Sequence, residues 1–453
     1  MLAILWNVVS FIIALSILVA VHEWGHYIVA KMCKVKILKF SIGFGKPLYS
    51  RTTSSGMEFA IASIPLGGYV RMLDGRVDEI GTQDLDVAFD QKPVLQRMAI
   101  VFAGPFVNFV FAVFALMAIG MIGTQSAKPV VGKVIDGSYV QAAGIEAGES
   151  FVAIGGREVR DWRDISIEMV RFSGDENMPV TMQSSQGALI ERILPINGWQ
   201  LDPDSRDLFG DIGFQPYTPE VTKRLALVQP DSPAGRAGLA LGDEIMKLDG
   251  TPMTNWGQIV EYIEPRAQQN VDVELLRDGK LISLMVTLVE HPDGGKNSTS
   301  RGYLGVSTYQ EAWPEEYIIE TQLGLADAFV EGIDKTWRLM TTTLKMLGKL
   351  VTGDLSIKTL SGPISIAEGA GNHASAGLIA FLGFLALISV NLGIINLLPL
   401  PVLDGGHLLY FTIEWITGKP VPEGVQEVGF KIGASVLFVV MSTAIFFDIM
   451  RNT

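Results

Sequence analysis

The chain has 453 residues, too many for one ordinary domain, and only 18% of them are charged, below the roughly 25% usual for soluble domains. A net charge of −13 with no basic cluster argues against a nucleic-acid partner. The one cysteine, Cys33, rules out an intrachain disulfide and leaves the redox compartment open.

The charge deficit is concentrated in runs. Residues 1–21, Met98–Ile122 and Ala374–Leu403 carry no charge, and a fourth apolar run, Ile432–Phe447, lies near the C-terminus. Crossing a hydrocarbon core of about 30 Å takes about 20 apolar residues. Four transmembrane helices are therefore expected, over 1–30, 98–122, 374–403 and 429–453. The first has no basic residue ahead of it and is longer than a signal-peptide core, so it is read as retained. It ends in Val21-His22-Glu23-Trp24-Gly25-His26. Positions i and i+4 share a helix face, so His22 and His26 can bind one zinc ion while Glu23 takes a proton from an attacking water. With only five histidines in the chain, and three ionisable groups at membrane depth, satisfied core histidines are the poorer reading.

Lys31, Lys34, Lys36 and Lys39 follow the first helix, and Lys92 and Arg97 precede the second. The positive-inside rule then makes 31–97 a cytoplasmic loop and puts the N-terminus and the long segment 123–373 on the far side. That segment holds a repeat. Ser138–Trp162 and Ser232–Trp256 align without a gap at an offset of 94, with Ser, Ala-Gly, two Gly and Trp in common. A period this long means two homologous domains, 123–220 and 221–310, not a solenoid. The second copy (AGLALGDEIMKLDG) resembles PDZ domains, which bind peptides by strand addition; the pair either captures a peptide or C-terminus or only excludes bulky substrates. In the connecting region 311–373, Ile333, Trp337, Met340, Leu344, Leu347 and Val351 recur at helical spacing with Lys335, Arg338, Lys345 and Lys349 on the other side. This predicts an amphipathic helix over 333–351, lying in the membrane interface or packed on a far-side domain.

The third helix leads into Asn396-Leu-Leu-Pro399-Leu-Pro401-Val-Leu403-Asp404-Gly405-Gly406-His407, at the start of a cytoplasmic loop over 404–428. A catalytic zinc commonly takes three protein ligands and keeps one open position. Helices one and three run in the same direction, so Asp404 and His22 reach the same depth. Asp404 is the favoured third ligand, and His407 competes with it, while His291 and His373 belong to the far-side region. A structural zinc in a membrane scaffold usually has four protein ligands, and a transit site usually sits among repeated helices near the midplane. Glu23 favours hydrolysis over both.

HEWGH in the first helix, Gly104-Pro105-Phe106-Val107-Asn108 in the second, and NLLPLPVLDGGH at 396–407 together resemble the site-2 protease family over nearly the whole chain. The resemblance implies a polytopic α-helical membrane protein, with four transmembrane helices and two tandem PDZ domains of α+β type between the second and third. His22, His26 and Asp404 would hold Zn2+, and Glu23 would be the base. Asn396, Gly67, Gly68, Tyr69, Pro399 and Pro401 would bind substrate, Asn396 as a strand anchor or an oxyanion donor. The 31–97 loop, with Gly43-Phe44-Gly45, is similar to the family's membrane-associated β-hairpin region, which would offer an edge strand to an unwound peptide. The implied substrate is the membrane-embedded segment of a single-pass protein, an anti-sigma factor already cut by another protease. The implied location is a bacterial inner membrane, with both termini and the PDZ pair in the periplasm and the active site near the cytoplasmic face.

Overall fold

Four helices are long and apolar enough to cross a membrane, and they assemble around small residues. The computed structural model describes residues 2–452 apart from 55, 82, 198, 202–204, 206, 291–300, 360 and 361, so His291 lies outside the described residues. The chain divides into two compact units, Met1–Gln215 with Ile319–Thr453, and Pro216–Ile318. In the first unit the main helices are α1 (Leu2–Met32), α2 (Val94–Ile122), α3 (Leu325–Thr352), α4 (Pro363–Ser375), α5 (Leu378–Asn396), α6 (Asp404–Thr417) and α7 (Glu423–Asn452). The candidate spans are α1, α2, α5 and α7.

Ala14 and Leu18 of α1 bury against Ala370 of α4 and Phe384 and Leu385 of α5. Ala112 and Ala115 of α2 bury against Ala386, Val390 and Ile394 of α5. Between apolar helices in lipid the driving force is close packing, and alanines let the backbones approach. The far end of α7 is fastened by a buried carboxylate. Asp448 accepts from the Gly362, Ile364 and Ser365 amides at 3.1, 3.0 and 3.1 Å and from Ser365 Oγ at 2.6 Å, satisfying the free N–H groups that open α4.

The uncharged run 374–403, expected as one helix, is broken. The span proper is α5, with α4 as a separate helix before it and turns at 397–403 after it. Gly377 takes φ +105, which only glycine adopts readily, and Pro399 and Pro401 lack the N–H groups that a continuing helix needs. The expected loop 404–428 opens instead with a helix, α6. Its first turn fits because Gly405 and Gly406 have no Cβ; one there would overlap the carbonyl oxygens of Leu397, Leu398 and Leu400. The spans α2 and α7 start earlier than expected, at Val94 and Glu423.

Between α1 and α2, β1 (Ile37–Thr52) and β2 (Glu58–Met72) fold back on each other twice. Residues Lys39–Ile42 pair with Gly68–Arg71 on one side and with Glu58–Ile61 on the other, while Pro47–Thr52 also pair with Glu58–Ala62. The result is a curled four-segment sheet. Gly43 and Gly45, at φ +93 and +89, supply the bend.

The two repeats share one order of elements. In the first, Arg157–Glu158, Ser150–Ile154, Asn177–Gln183 and Leu189–Pro195 form a sheet in that order, and Val131–Val134 pairs with Phe214–Pro216. In the second, Lys280–Thr287, Asn270–Arg277, Glu244–Leu248, Val221–Val228 and Val306–Gln310 form the sheet, with Thr251–Pro252 on Glu244–Leu248. Matching serines, Ser138 and Ser232, cap the short helices that follow them, and Asp161 and Asn255 cap the helices that begin at Trp162 and Trp256.

The predicted amphipathic helix is longer than expected and serves two neighbours. Along α3, Met340 and Leu347 pack against the α2–α5 core. Its cations reach the first repeat: Lys345 and Lys349 bind Asp175 at 2.9 and 2.7 Å, Lys349 also bonds Ser173 O, and Arg338 donates to Glu158 O at 2.6 Å. These basic groups are therefore spent on protein, which corrects an interfacial reading of that side. Trp337, Leu344 and Val351 stay exposed.

Candidate metal centre

Six turns into α1, His22, Glu23 and His26 are buried, at 8%, 9% and 9% exposure. The helix runs on to Met32, so the motif is not at its end. Asp404, the first residue of α6, brings its Oδ2 to 3.2 Å from His22 Nε2 and 3.5 Å from His26 Nε2, and the two Nε2 atoms are 3.2 Å apart. His22, His26 and Asp404 thus form one group, the arrangement a metal ion needs. His407 does not join it. That side chain lines a separate cleft of about 50 Å³ with Arg76, Tyr410 and Glu414.

The ring nitrogens show what the group lacks. His26 Nδ1 donates to Ile100 O at 2.9 Å, so its proton is spent there and Nε2 carries a lone pair. That lone pair faces Asp404 Oδ2, a buried atom with no hydrogen-bond partner among the described residues. Lone pairs converging in a buried site repel unless a cation lies among them. A tetrahedral zinc with ligands at about 2.0–2.1 Å spaces them about 3.3 Å apart, which matches the three separations here. Two imidazoles and one carboxylate, three protein ligands where a structural site usually has four, suit a catalytic zinc.

The β1–β2 sheet closes over Glu23. A Cβ on Gly68 would stand 2.7 Å from Val19 Cγ1 and 3.1 Å from Glu23 Cγ, so only glycine lets the strand pass this close. The Val70 amide is directed at the Glu23 carboxylate. Gly67 lies under the Phe44 ring at φ +139, and Tyr69 stacks on Phe44 at 6.1 Å. Among the described residues, segment 68–71 is an edge that pairs with 39–42 on one side only.

The remaining predicted residues lie at the end of α5 and in the turn after it. Asn396 is the last residue of α5, half-buried, and makes no side-chain hydrogen bond to the cluster among the described residues. Pro399 is exposed. Pro401 packs towards α7, where a Cβ on Gly429 or Gly433 would meet its ring at 3.2 Å.

Three contacts were not assigned from sequence, although Asn108 and Gly104 stand in the 104–108 motif and Arg97 was used for orientation. Asn108, fully buried, places its amide 3.1 Å from His22 Nδ1. Gly104 faces both imidazoles. At the other end of α6, Arg97 grips Glu414 through two hydrogen bonds, 2.7 and 3.2 Å, and lies 4.8 Å over the Phe411 ring. Beside the 104–108 motif itself, an amide in an uncharged span is a signal, since polar groups at that depth are costly unless used.

Comparison with known proteins gives the chain's relatives. The regulator of sigma-E protease RseP of Escherichia coli is 44% identical over 454 residues, covering 100% of each chain. The regulator of sigma E protease of Haemophilus influenzae is 41% identical over 451 residues, covering 99% of this chain and 100% of that one. Among solved structures, the PDZ domain of an SdrC-like protein from Listeria innocua matches 20% of this chain and 97% of that one at 20% identity, with a TM-score of 0.18, too low to bear on the fold. The pattern of peptidase family M50 matches residues 10–440, the HEWGH helix and the Asp404 turn within it, and the chain therefore belongs to peptidase family M50, the site-2 proteases.

Proposed function

We propose that this protein is a zinc metalloendopeptidase that cuts a single-pass membrane protein in or near its spanning segment, with Glu23 as general base. The observation that carries the reading is the meeting of His22, His26 and Asp404 beside Glu23, within the apolar helix α1 and in the turn that follows the apolar helix α5. Zinc bound by those three side chains supplies Lewis acidity, polarising the scissile carbonyl and making water a nucleophile near neutral pH.

The chain's own residues do the rest. Glu23 receives the proton of the attacking water and passes it to the leaving amide nitrogen. A helical substrate has its carbonyls occupied, so it must unwind first, and edge segment 68–71 offers replacement hydrogen bonds beside Glu23. Gly67, Gly68 and Tyr69 shape that edge. Asn396, Pro399 and Pro401 bind substrate as well, with Asn396 holding its backbone as a strand anchor or an oxyanion donor.

The substrate class we propose is an anti-sigma factor already shortened by another protease, in line with relatives named as regulators of sigma-E. The two repeats act as PDZ domains that bind a peptide end or turn away uncut substrates, on the strength of their shared element order. We assign the protein to a bacterial inner membrane by its family, and the lysine distribution supports an orientation with the repeats and both termini periplasmic and the metal centre near the cytoplasmic face.

The test combines zinc content with cleavage of a tagged single-span substrate in detergent for wild type, His22→Ala, Asp404→Ala and His407→Ala. Zinc and cleavage lost in the first two variants but kept in His407→Ala are expected. Full zinc and cleavage in Asp404→Ala would overturn the ligand assignment.

A further inference from the structure

The α2 helix faces the imidazoles with three groups: Ile100 O, the bare Cα of Gly104, and the Asn108 side chain. The bond to Ile100 O is settled by chemistry, because a carbonyl only accepts and His26 Nδ1 must donate. The bond to Asn108 is two-sided. Its amide nitrogen lies 3.1 Å from His22 Nδ1, and a half-turn about the last side-chain bond puts the amide oxygen there with no change of shape. Either way one end of the amide meets Nδ1; Oδ1, as placed, has no partner among the described residues. What differs is the tautomer of His22.

If the amide donates to Nδ1, the His22 proton must sit on Nε2. That atom is 3.2 Å from both His26 Nε2 and Asp404 Oδ2, and the proton would occupy the point where the three ligand atoms converge. If the amide accepts, Nδ1 carries the proton and the Nε2 lone pair points to the metal. The amide is well placed to impose this choice. Asn108 is 0% exposed, so no water competes for Nδ1. Its backbone is pinned as well, since Ser389 Oγ of α5, also fully buried, donates to Asn108 O at 2.8 Å.

We infer that Asn108 is a positioning residue of the metal centre, its amide oxygen accepting from His22 Nδ1–H so that His22 Nε2 is held as a metal ligand, just as Ile100 O holds His26. The inference rests on the metal reading proposed above. Outer partners of ligating histidines fix ring orientation and raise ligand basicity, and losing one typically costs 10–100-fold in metal affinity.

The experiment is zinc affinity by chelator competition, on the full chain in detergent, for wild type, His22→Ala, Asn108→Leu and Asn108→Asp. Leucine keeps the volume without a hydrogen bond, and aspartate can only accept. We expect Asn108→Leu to bind zinc about 10–100-fold more weakly and Asn108→Asp to stay within about threefold of wild type. An amide that instead donated would hold the His22 proton on Nε2 against the metal, so Asn108→Leu and Asn108→Asp would both bind zinc more tightly than wild type, and that result overturns the inference. Wild-type affinity in Asn108→Leu overturns it too. Should Asn108→Leu not fold, the aspartate variant decides alone: affinity within about threefold of wild type supports the acceptor role, and a change of about tenfold or more in either direction contradicts it. Zinc binding that survives His22→Ala removes the metal reading and the inference together, whereas binding that needs His22 but not Asn108 removes only the inference.

Discussion

Gly104→Ala adds one methyl group at the point where α2 faces the metal ligands. A Cβ there would stand 2.6 Å from His26 Cε1 and 2.8 Å from His22 Cε1. Relaxed carbon–carbon contacts lie at about 3.5 Å or more, so the two rings must retreat by close to 1 Å. Metal–ligand distances tolerate only about 0.2 Å, and the rings cannot retreat freely, because Ile100 O and Asn108 hold their far nitrogens. Zinc content is therefore expected to fall, and cleavage to drop about 100-fold or more. The fold itself has less to lose, since alanine favours a helix interior over glycine by about 1 kcal/mol. Gly120→Ala, on the same helix, is the control: its Cβ would meet Leu323 Cδ1 at 3.3 Å and Ala328 Cβ at 3.5 Å, neither of them a ligand. Metal analysis, a single-span cleavage assay and thermal melting on both variants separate the effects. Full zinc and wild-type cleavage in Gly104→Ala would refute the placement of the rings against α2.

Other parts of the account carry their own tests. Asp448→Ala leaves the opening amides of α4 without their acceptor and should cost about 2 kcal/mol; faster hydrogen exchange at Gly362–Ser365 is the expected sign, and unchanged exchange would contradict the capping role. Arg97→Ala strands Glu414 at the far end of α6 and should lower stability by about 2 kcal/mol, with Arg97→Lys recovering less than half because it cannot make the paired contact; melting in detergent reads both, and a full recovery by lysine would count against a bidentate bond. In the second unit, burial pushes the Asp243 carboxyl up, but Arg277, bonded to both oxygens at 2.7 Å, outweighs it and holds the group below its usual range. A carboxyl depressed on folding adds stability above its unfolded pKa of about 3.9 and loses it as pH falls through the folded value. Exchange protection over 239–248 should therefore weaken below about pH 4 in wild type, and Asp243→Asn should flatten that dependence.

What was legible from sequence depended on how local the physics is. The pairing of His22 with His26 needs only the helical repeat, and the two far-side copies announce themselves by an ungapped alignment that their capping residues, Ser138 with Ser232 and Asp161 with Asn255, then explain. The third span was misjudged because hydropathy registers composition alone. An uncharged run hid both the Gly377 break and the proline turn that separates α5 from α6. The Gly405–Gly406 pair suggested a turn, whereas its purpose is to let a helix start beneath the carbonyls of Leu397 and Leu398. The basic side of α3 suggested lipid, and only the folded first repeat shows Asp175 waiting for Lys345 and Lys349. Arg97 and Glu414, or Asn108 and His22, meet across hundreds or scores of residues, and no spacing rule connects them.

The central claim is that Glu23 moves the proton while three other side chains hold the metal, so the most direct measurement is made on Glu23→Gln. Zinc content and cleavage of a tagged single-span substrate would be determined together for wild type and this variant in detergent. The account predicts zinc equal to wild type and no cleavage, because glutamine keeps the shape and cannot take a proton. Cleavage persisting in zinc-loaded Glu23→Gln would contradict it, and the general base would have to be another group.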